Sequence, residues 1–402
     1  MLKTTTTTCQ AMTKTIGTHS GTFHCDEALG VALLRRTRLF ANASVTRTRD
    51  EATLSALDCV IDVGGEYDHD RLRYDHHQRG FTEVFGVGGF NTVKLSSAGL
   101  VYRHYGREVI SSETGLAIDD PSTETLYLEM YKHFIEGVDA IDNGVEQFRP
   151  VKRRRHKRKM DDEGAEILDV LLGEEEEEDV ALEKVYLEET GLASRVGALN
   201  PAWNEETSDA ILDAKFEVAS EMAGKEFLAK LTYLHKSWLP ARDIVKQAMA
   251  QRFEVDKSGR ILVLSRYCPW KDHLFDLEGE EAEANKGGNP PTDPAPPAAP
   301  GGEAQPAEHG NYNRALYCLY EDERSKKWRI QSVPEAGVGA FSQRKPLPAN
   351  WRGMRGVGLD AVTGVPGGTF VHAAGFTGGH DTYEGILKLA KMAITDTCCC
   401  CS

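Results

Sequence analysis

The stretch that decides the fold is TIGTHSGTFHCDEALGVALLRR, residues 15–36. Its first residues, Thr15–Thr18, predict a short strand that ends in a loop, and Glu27–Arg36 predicts a helix with one apolar stripe. A strand that leads through a short loop into a helix is typical of α/β domains. Because the loop is rich in histidine and acidic residues, the sequence places polar chemistry at the end of this strand.

The same alternation continues downstream. Ser44–Thr48 and Cys59–Val63 predict buried strands. Leu95–Tyr105 predicts a helix, with Ser96 or Ser97 as its N-cap. Strands that alternate with helices predict a parallel sheet, in which ligands bind beyond the carboxyl ends of the strands.

A long helix is predicted over Thr123–Asn143. Its apolar stripe consists of Leu126, Met130, Phe134, Val138 and Ile141. A stripe at this spacing covers one helix face, so we expect these five side chains to be buried.

The C-terminal part predicts a second, smaller and more antiparallel α/β unit. Residues 205–253 predict mainly helix, and another helix is expected from about Thr382. The predicted strands are Arg260–Ser265, Arg314–Tyr320, Trp328–Val333 and Thr369–Ala373. The predicted organisation is a flexible N-terminus (1–14), a first domain (15–150), a disordered charged insert (151–190), a helical continuation and connector (191–255), a second domain (256–397) with a disordered loop (278–310), and a cysteine-rich tail (398–402).

Two acidic segments explain most of the charge of the chain, which has 402 residues and a formal net charge of −15. Residues 151–190 carry 8 Lys or Arg against 14 Asp or Glu, and residues 278–309 carry 1 against 7, so each segment contributes −6. Like charges at this density favour disorder. The acidity therefore neither supports nor excludes nucleic-acid binding by the folded part. The chain has no run of 18 apolar residues, which excludes a transmembrane helix.

Cysteine spacing and the chain ends bear on location. The cysteines outside the tail are scattered without a C-x-x-C pair, which argues against a zinc ribbon or a disulfide scaffold and favours a reducing compartment. The N-terminus lacks the apolar core of a secretory signal, and a mitochondrial presequence is one alternative for it. The basic block Lys152–Lys159 is either a solvated loop or a nuclear-import signal. Cys398–Cys401 is either an unmodified tail or a palmitoylated lipid anchor.

The first cluster of chemical interest is THSGTFHCDE, which contains His19, His24, Asp26 and Glu27. Imidazole nitrogens mixed with carboxylate oxygens suit Mn²⁺, Zn²⁺ or Fe²⁺, whereas a cage of oxygens alone suits Mg²⁺ or Ca²⁺. The structural alternative is that the two acids only complement the dipole of the following helix. The crowding of four such groups within nine positions favours a metal site.

Three further motifs carry ligands. Asp62 closes a predicted strand in VIDVGGEYD, where a carboxylate could bridge two ions. In YDHHQRGF, one histidine of the His76–His77 pair could bind metal while its neighbour faces substrate, and Asp75 could orient a ring through its other nitrogen.

The fourth motif, VDAIDNG, holds Asp139 and Asp142 on one face near the end of a helix. Acids there oppose the helix dipole and call for a compensating cation. The predicted ligands of two ions are His19, His24, Asp26, Asp62, His76 and Asp139. Two ions about 3.5–4 Å apart can activate a water and clamp both oxygens of a phosphoryl transfer.

The order HSGTFHCDE, IDVGGEYD, YDHHQRGF and VDAIDNG resembles the DHH phosphoesterase superfamily and, within it, the melanocyte-proliferating-gene family of metal-dependent exonucleases. Stretches such as KLSSAGLVY, LNPAW, SWLPAR, LPANWRG and HAAGFTGGHDTYEGIL extend the likeness over most of the chain. The resemblance implies a DHH domain, a C-terminal substrate-binding domain and 3′→5′ exonuclease action on RNA. It also implies two Mn²⁺ ions, with Mg²⁺ or another divalent ion as the alternative, and a place in the nucleus and mitochondrion, with the cytoplasm as the alternative.

The ordered set of four motifs leads to a hypothesis of a two-metal phosphodiesterase, with roles for single residues. Asp62 is expected to bridge the two ions. His77 is expected to contact the scissile phosphate and, with Asp75, to form the catalytic pair. Arg79 is a weaker candidate for substrate binding.

The stretch Gly378, Gly379 and His380 resembles the G-G-H motif of DHH-associated domains. Backbone N–H groups at the start of a helix suit a phosphate or an RNA end, and the alternative is a plain glycine-rich turn. At the other end of the chain the usual motif H-x-x-x-D-x-D is altered. His24 replaces its first aspartate, and His19 lies one residue earlier than the usual histidine.

Two other functions fit the sequence. The same core could hydrolyse pyrophosphate or a short oligonucleotide instead of a long RNA. Alternatively, the chain is a non-catalytic RNA-binding scaffold whose main contact is Lys152–Lys159, in which case RNA binding survives chelation. RNA or an oligonucleotide is the expected partner in most of these cases, and the sequence leaves the oligomeric state open.

Overall fold

The structure, a computed structural model, describes residues 13–145, 190–285, 314–336 and 342–396, together with four two-residue strands between 146 and 189. The chain divides into two compact units, Met1–Leu234 and His235–Ser402. Each unit contains a five-stranded sheet with helices, which confirms the predicted α/β class. Within the described ranges, no helix is long and apolar enough to cross a membrane.

The sheet of the first unit is largely parallel, as predicted. Its strands are β1 (Thr15–Thr18), β2 (Ser44–Arg47), β3 (Cys59–Ile61), β4 (Tyr67–Asp68) and β5 (Arg73–Tyr74). They lie in the order β2-β1-β3-β5-β4, and only β4 runs antiparallel to its neighbour. The parallel strands β1, β3 and β5 are adjacent, so their carboxyl ends meet at one edge of the sheet.

The described part of the first unit contains seven α-helices. They are α1 (Cys25–Leu34), α2 (Glu51–Ala56), α3 (Ser97–Thr114), α4 (Pro121–Met130), α5 (Glu136–Asp142), α6 (Leu192–Gly197) and α7 (Asp209–Tyr233). Helix α1 is buried along its whole length and packs against α3 and α7. Ser96 is the N-cap of α3, which confirms one of the two predicted caps, and Gly115 ends that helix in the left-handed conformation.

The predicted helix Thr123–Asn143 is interrupted by a π-turn, Tyr131–Ile135, between α4 and α5. The Glu136 N–H donates to the Tyr131 carbonyl, five residues earlier, which adds one residue to the turn. The buried face therefore shifts along the sequence after Met130. Ile141, predicted to be buried, is 63% exposed, so that prediction is wrong.

The second unit has a mainly antiparallel sheet, as predicted. The sheet of the second unit consists of β10 (Ile261–Val263), β11 (Tyr317–Glu321), β12 (Trp328–Ser332), β13 (Gly368–Val371) and β14 (Thr377–His380). The numbers β6 to β9 belong to four short strands earlier in the chain: β6 (Arg153–Arg154), β7 (Lys159–Met160), β8 (Glu166–Ile167) and β9 (Glu177–Glu178). The strand order in the sheet of the second unit is β10-β11-β12-β14-β13, and only β10 and β11 are parallel. The helices are α8 (Leu239–Val255), which follows a π-turn (Leu234–Trp238), α9 (Lys271–Asn285), α10 (Gly356–Thr363) and α11 (Tyr383–Thr395), with a 3₁₀ turn at Ala349–Trp351.

Several predicted irregular segments lie wholly or partly outside the described residues. In the insert 151–190, β6 pairs with β9 and β7 with β8; the predicted disorder there stays a prediction. In the predicted loop 278–310, residues 278–285 are helical, so that part of the prediction is wrong. Glu278 binds Arg344 at 2.6 Å, a tertiary contact that helps to hold this end of α9 in place. The N-terminus before residue 13 and Cys398–Cys401 lie outside the described residues.

Candidate metal centre

Three loops at the carboxyl ends of adjacent strands build a cleft in the first unit. His19 follows β1, Asp62 follows β3, and Asp75, His76 and His77 follow β5. The cleft has a volume of about 380 Å³ and is lined by His19, His24, Arg49, Asp62, Val63, Gly64, Gly65, Asp75 and His77. The sheet edge predicted to bind a ligand therefore carries the imidazole and carboxylate groups.

Asp62 lies at the centre of this arrangement and has an unusual backbone. Its φ is +60°, in the left-handed region that residues other than glycine rarely adopt. One carboxylate oxygen, Oδ2, lies 3.3 Å from Nε2 of His19, and the other, Oδ1, lies 3.3 Å from Nε2 of His76. A carboxylate that faces two separate imidazoles is placed as a bridging ligand would be.

The possible ligand atoms form three overlapping groups, within each of which all atoms lie within 4.8 Å of one another. The groups are His19, His24, Glu27 and Asp62; Asp62, His76 and His77; and His24, Asp26 and Asp142. Asp62 belongs to two groups and His24 to two, so the sites are contiguous. This arrangement can hold more than one metal ion.

Several atoms of these residues are buried without a hydrogen bond. They are Asp26 Oδ1, Glu27 Oε2, Asp62 Oδ1, His76 Nε2 and Asp142 Oδ2. A buried polar atom without a hydrogen bond is costly, and a coordinated cation removes that cost. The donors are mixed nitrogen and oxygen, which fits Mn²⁺, Zn²⁺ or Fe²⁺. The residues present therefore fit a metal centre.

The centre concentrates buried acidic groups, and burial disfavours their charged forms. Burial raises the pKa of Glu27 to about 8, although its hydrogen bond with His19 acts in the opposite direction. Burial and the nearby charge of Asp26 raise the pKa of Asp142 to about 8. Burial disfavours the charged form of His19, but hydrogen bonds to Asp62 and Glu27 outweigh it and raise its pKa to about 10. Bound cations would stabilise this set of carboxylates.

Asp62 differs from Glu27 and Asp142 in that its pKa is lowered and not raised. Burial by itself would raise its pKa, but the nearby imidazoles of His19 and His76 hold the pKa below its ordinary value. The same contacts raise the pKa of His76 to about 9 against the effect of burial. The two imidazoles that face Asp62 therefore favour its charged form.

The structure does not bring Asp139 to the other predicted ligands. Its Oδ1 accepts hydrogen bonds from the backbone N–H (3.0 Å) and hydroxyl (2.7 Å) of Ser96, and its Oδ2 accepts one from Tyr131 at 3.1 Å. Asp142 lies in its place, with Oδ2 3.1 Å from Nε2 of His76. Ser96 and Tyr131 therefore hold Asp139 at the N-terminus of α3, whereas Asp142, three residues later, reaches His76.

One carboxylate oxygen of Asp26 accepts a hydrogen bond from Ser97, and the other makes no hydrogen bond. Its Oδ2 accepts a hydrogen bond of 2.7 Å from the Ser97 hydroxyl at the start of α3. Its Oδ1 is buried without a hydrogen bond and belongs to the group that contains His24 and Asp142. Asp26 is thus oriented by the helix terminus and presents one oxygen to the centre.

His77 is exposed at the cleft, and Asp75 is buried behind it. The Nδ1 of His77 lies 2.8 Å from Oδ1 of Asp75, which also accepts the His77 backbone N–H. The other oxygen of Asp75 accepts the N–H of Gly65 at 2.5 Å. Asp75 therefore fixes both the imidazole and the glycine turn, and Nε2 of His77 is the ring nitrogen left for other contacts.

The comparisons with known proteins agree with this architecture. A family model described as "Uncharacterised protein family (UPF0160)", with the label MYG1_exonuc, matches residues 15–289 and 302–394. This chain belongs to the MYG1 family.

Relatives in this family are similar over almost the whole chain. The "MYG1 exonuclease" of Mus musculus is 41% identical over 383 residues, which cover 94% of this chain and 84% of the mouse protein. The "MYG1 exonuclease" of Homo sapiens is 41% identical, with coverage of 94% and 85%. A "MYG1 protein" of Caenorhabditis elegans is 38% identical over 387 residues, with coverage of 95% and 96%.

The remaining predicted site residues of this MYG1-family chain lie elsewhere. Arg79 is exposed and does not line the cleft. Gly378, Gly379 and His380 belong to β14, in the second unit, between β12 and β13. As predicted, these three residues come directly before a helix, α11, but they form a paired strand and not the glycine-rich turn of the alternative. Their role in substrate binding stays a prediction.

Sequence reasoning missed three residues of the centre. Glu27 stood in the first motif but was not chosen as a ligand, and Asp142 stood beside the chosen Asp139. Both could have been weighed from the motif itself, since each motif offered two acids. Arg49 lines the cleft but belongs to no motif, and only the adjacency of β2 and β1 brings it there.

Proposed function

We propose that this protein is a metal-dependent phosphodiesterase of the DHH type that acts as a 3′→5′ exonuclease on RNA. The observation that carries the proposal is the position of Asp62, whose two carboxylate oxygens face His19 and His76 at the end of a parallel sheet. The names of the mouse and human relatives, both "MYG1 exonuclease", support the nuclease activity. Mn²⁺ is the proposed metal because the family resemblance implies it, and the mixed imidazole and carboxylate donors fit it.

Two overlapping sets of side chains would hold the ions. The first is His19, His24, Glu27 and Asp62. The second is His76, which faces Asp62, with Asp142 and Asp26, which share a group with His24. The ions would polarise the phosphoryl group and lower the pKa of a bound water. Ser97 at the start of α3 would keep Asp26 in position during turnover.

His77 and Asp75 have a different task. With its Nδ1 held by Asp75, His77 can hold or release a proton at Nε2 beside the scissile phosphate. The exposed position of His77 gives it access to a substrate, whereas the burial of Asp75 suits a residue that orients the ring. We therefore assign His77 to the substrate and Asp75 to positioning.

The test uses Asp62→Asn, which keeps the shape of the side chain and removes its charge. The matched control is Asp70→Asn, at an exposed aspartate in the same unit. Purified proteins are assayed on single-stranded RNA labelled at either end, on the same DNA sequence and on pyrophosphate, with Mn²⁺ or EDTA. Metal content is measured in parallel.

We expect the wild type and Asp70→Asn to shorten RNA from the 3′ end, in Mn²⁺ only. Asp62→Asn should lose at least about 1,000-fold in rate, the loss expected when about 4 kcal/mol of charge stabilisation by the metal is removed. Full activity of a folded Asp62→Asn protein would remove the mechanism. Preference for pyrophosphate, or RNA binding without cleavage, would favour one of the other two functions.

A further inference from the structure

Arg49 is the only Lys or Arg among the described residues that line the cleft. It lies just beyond β2, the strand that pairs with β1, and its side chain reaches the loop that carries His19 and His24. There its Nε donates a hydrogen bond of 3.3 Å to the carbonyl of Ser20. The residue is exposed, and it brings a fixed positive charge to the wall of the cleft.

A comparison with Arg47 shows that Arg49 has free hydrogen-bonding capacity. The side chain of Arg47 is 2% exposed, binds Asp213 and the Gly21 carbonyl, and lies over the rings of Phe23 and Phe216. Arg47 is therefore committed to the fold. In the described structure, Arg49 uses only Nε, which leaves the two terminal nitrogens of its guanidinium for another partner.

The charge of the cleft explains why a substrate needs such a group. Asp62 and Asp75 line it and Glu27 lies behind them, so an incoming phosphate meets a concentration of carboxylates. Metal ions would offset part of this charge at the ligand atoms. A guanidinium on the wall offsets it where a phosphate enters, and its planar fork matches two phosphate oxygens.

We propose that Arg49 binds a phosphate group of the terminal nucleotide in this cleft. The proposal rests on the proposed function and names the substrate contact of the same site. A volume of about 380 Å³ lies within the range of small-ligand pockets, about 300–1,000 Å³, and suits one nucleotide at a time. Arg49 is thus a substrate-binding residue that acts beside the metal centre.

The experiment measures binding of AMP and of adenosine, two ligands that differ only in the phosphate, to the full chain in Mn²⁺ by isothermal titration calorimetry. Arg49→Gln should weaken AMP binding by roughly 10- to 100-fold, the effect of losing a charged hydrogen bond, and should leave adenosine binding unchanged. Arg49→Lys should fall between, because lysine keeps the charge but not the fork. The matched control is Arg38→Gln, at an exposed arginine outside the cleft, which should bind AMP as the wild type does.

A second readout is the salt dependence of binding to single-stranded RNA. Loss of one phosphate contact should reduce the slope of log affinity against log salt by about 0.7 in Arg49→Gln. A purely structural role through the Ser20 carbonyl predicts a different result. It would lower the melting temperature or the Mn²⁺ content and would weaken AMP and adenosine equally.

Three results overturn the proposal: AMP binding by Arg49→Gln that equals the wild type, equal weakening of AMP and adenosine, or no AMP binding by the wild type. Failure of the proposed function gives a different pattern. In that case the wild type does not cleave RNA, whereas the difference between Arg49→Gln and the wild type in AMP binding remains. The experiments therefore distinguish a failure of the Arg49 proposal from a failure of the proposed function.

Discussion

The histidines of two sequence motifs, His76 and His380, differ in the hydrogen bonds that their ring nitrogens make. In the first unit, His76 has a buried Nε2 that makes no hydrogen bond and faces the carboxylates of Asp62 and Asp142. In the second unit, both ring nitrogens of His380 are bonded, Nε2 to the Pro366 carbonyl at 2.9 Å and Nδ1 to the Thr382 N–H at 3.0 Å. A motif supplies residue types, but unsatisfied bonding capacity marks the place where a ligand is needed.

The largest expected effect separates these two histidines. His76→Ala should reduce the RNA-cleavage rate by at least about 1,000-fold, since it removes a metal ligand next to Asp62. His380→Ala should instead lower the free energy of unfolding by about 2–4 kcal/mol, because it leaves a cavity and two unbonded backbone groups. Rates and urea denaturation of both variants are the measurements. A His380→Ala protein of native stability would contradict the contrast.

The next effect concerns the two aspartates near the end of the long helix. Asp142→Asn should weaken Mn²⁺ binding by about 10- to 100-fold. Asp139→Asn should keep the metal and destabilise the fold by about 1–2 kcal/mol, since an amide cannot accept all the bonds that Ser96 and Tyr131 now donate. Metal titration with parallel thermal unfolding compares them. Loss of metal in Asp139→Asn alone would restore the ligand choice made from the sequence.

A smaller effect tests how tightly Asp139 is held. A Cβ at Gly99 would overlap the carboxylate of Asp139, whereas a Cβ at Gly137 would meet no atom within 4 Å. Gly99→Ala should therefore destabilise the protein by about 1–3 kcal/mol. Gly137→Ala, its matched control on α5, should stabilise it by about 0.5–1 kcal/mol. Equal melting temperatures for the two variants would show that the Asp139 contact can relax.

The smallest effect concerns His104, whose ring centroid lies 3.7 Å from that of the stacked His69 ring and whose Nε2 bonds Tyr67 at 2.8 Å. Burial, with the nearby His69 and Arg103, lowers the pKa of His104 from 6.5 to about 4. The folded state thus binds fewer protons than the unfolded state between these values, so stability should fall as the pH drops from 6.5 to 4. We expect His104→Gln to remove about 1 kcal/mol of this dependence, after allowance for screening at a half-buried site. Urea denaturation at pH 7 and pH 5 measures it, and an unchanged slope would refute the assignment.

Local sequence signals predicted most of the fold. The strand Thr15–Thr18, the cap Ser96 and the mixed sheet of the second unit all follow from apolar spacing and capping residues near in sequence. The exposure of Ile141 did not follow from a regular helical period, because the π-turn before it adds one residue to the turn. Helix propensity predicts the helix, but it does not predict the one residue that the π-turn adds.

The sequence also predicted part of the candidate centre. The motifs located the loops, and the order of β1, β3 and β5 brings them together at one edge. The sequence does not show which way each acidic side chain points. In the structure Asp142 faces His76, whereas Asp139 faces Ser96 at the start of α3. Arg49 could not be found from a motif, because its place results from strand pairing between residues distant in sequence.

The left-handed backbone of Asp62 has a consequence for how this position can evolve. Only glycine, asparagine and aspartate adopt such a φ at low cost, and a branched side chain there would be severely strained. Glycine has no side chain that could bind a metal ion, and asparagine has no negative charge. A lineage that keeps the chemistry has no neutral substitution open at residue 62, and a lineage that abandons it should drift first to asparagine or glycine.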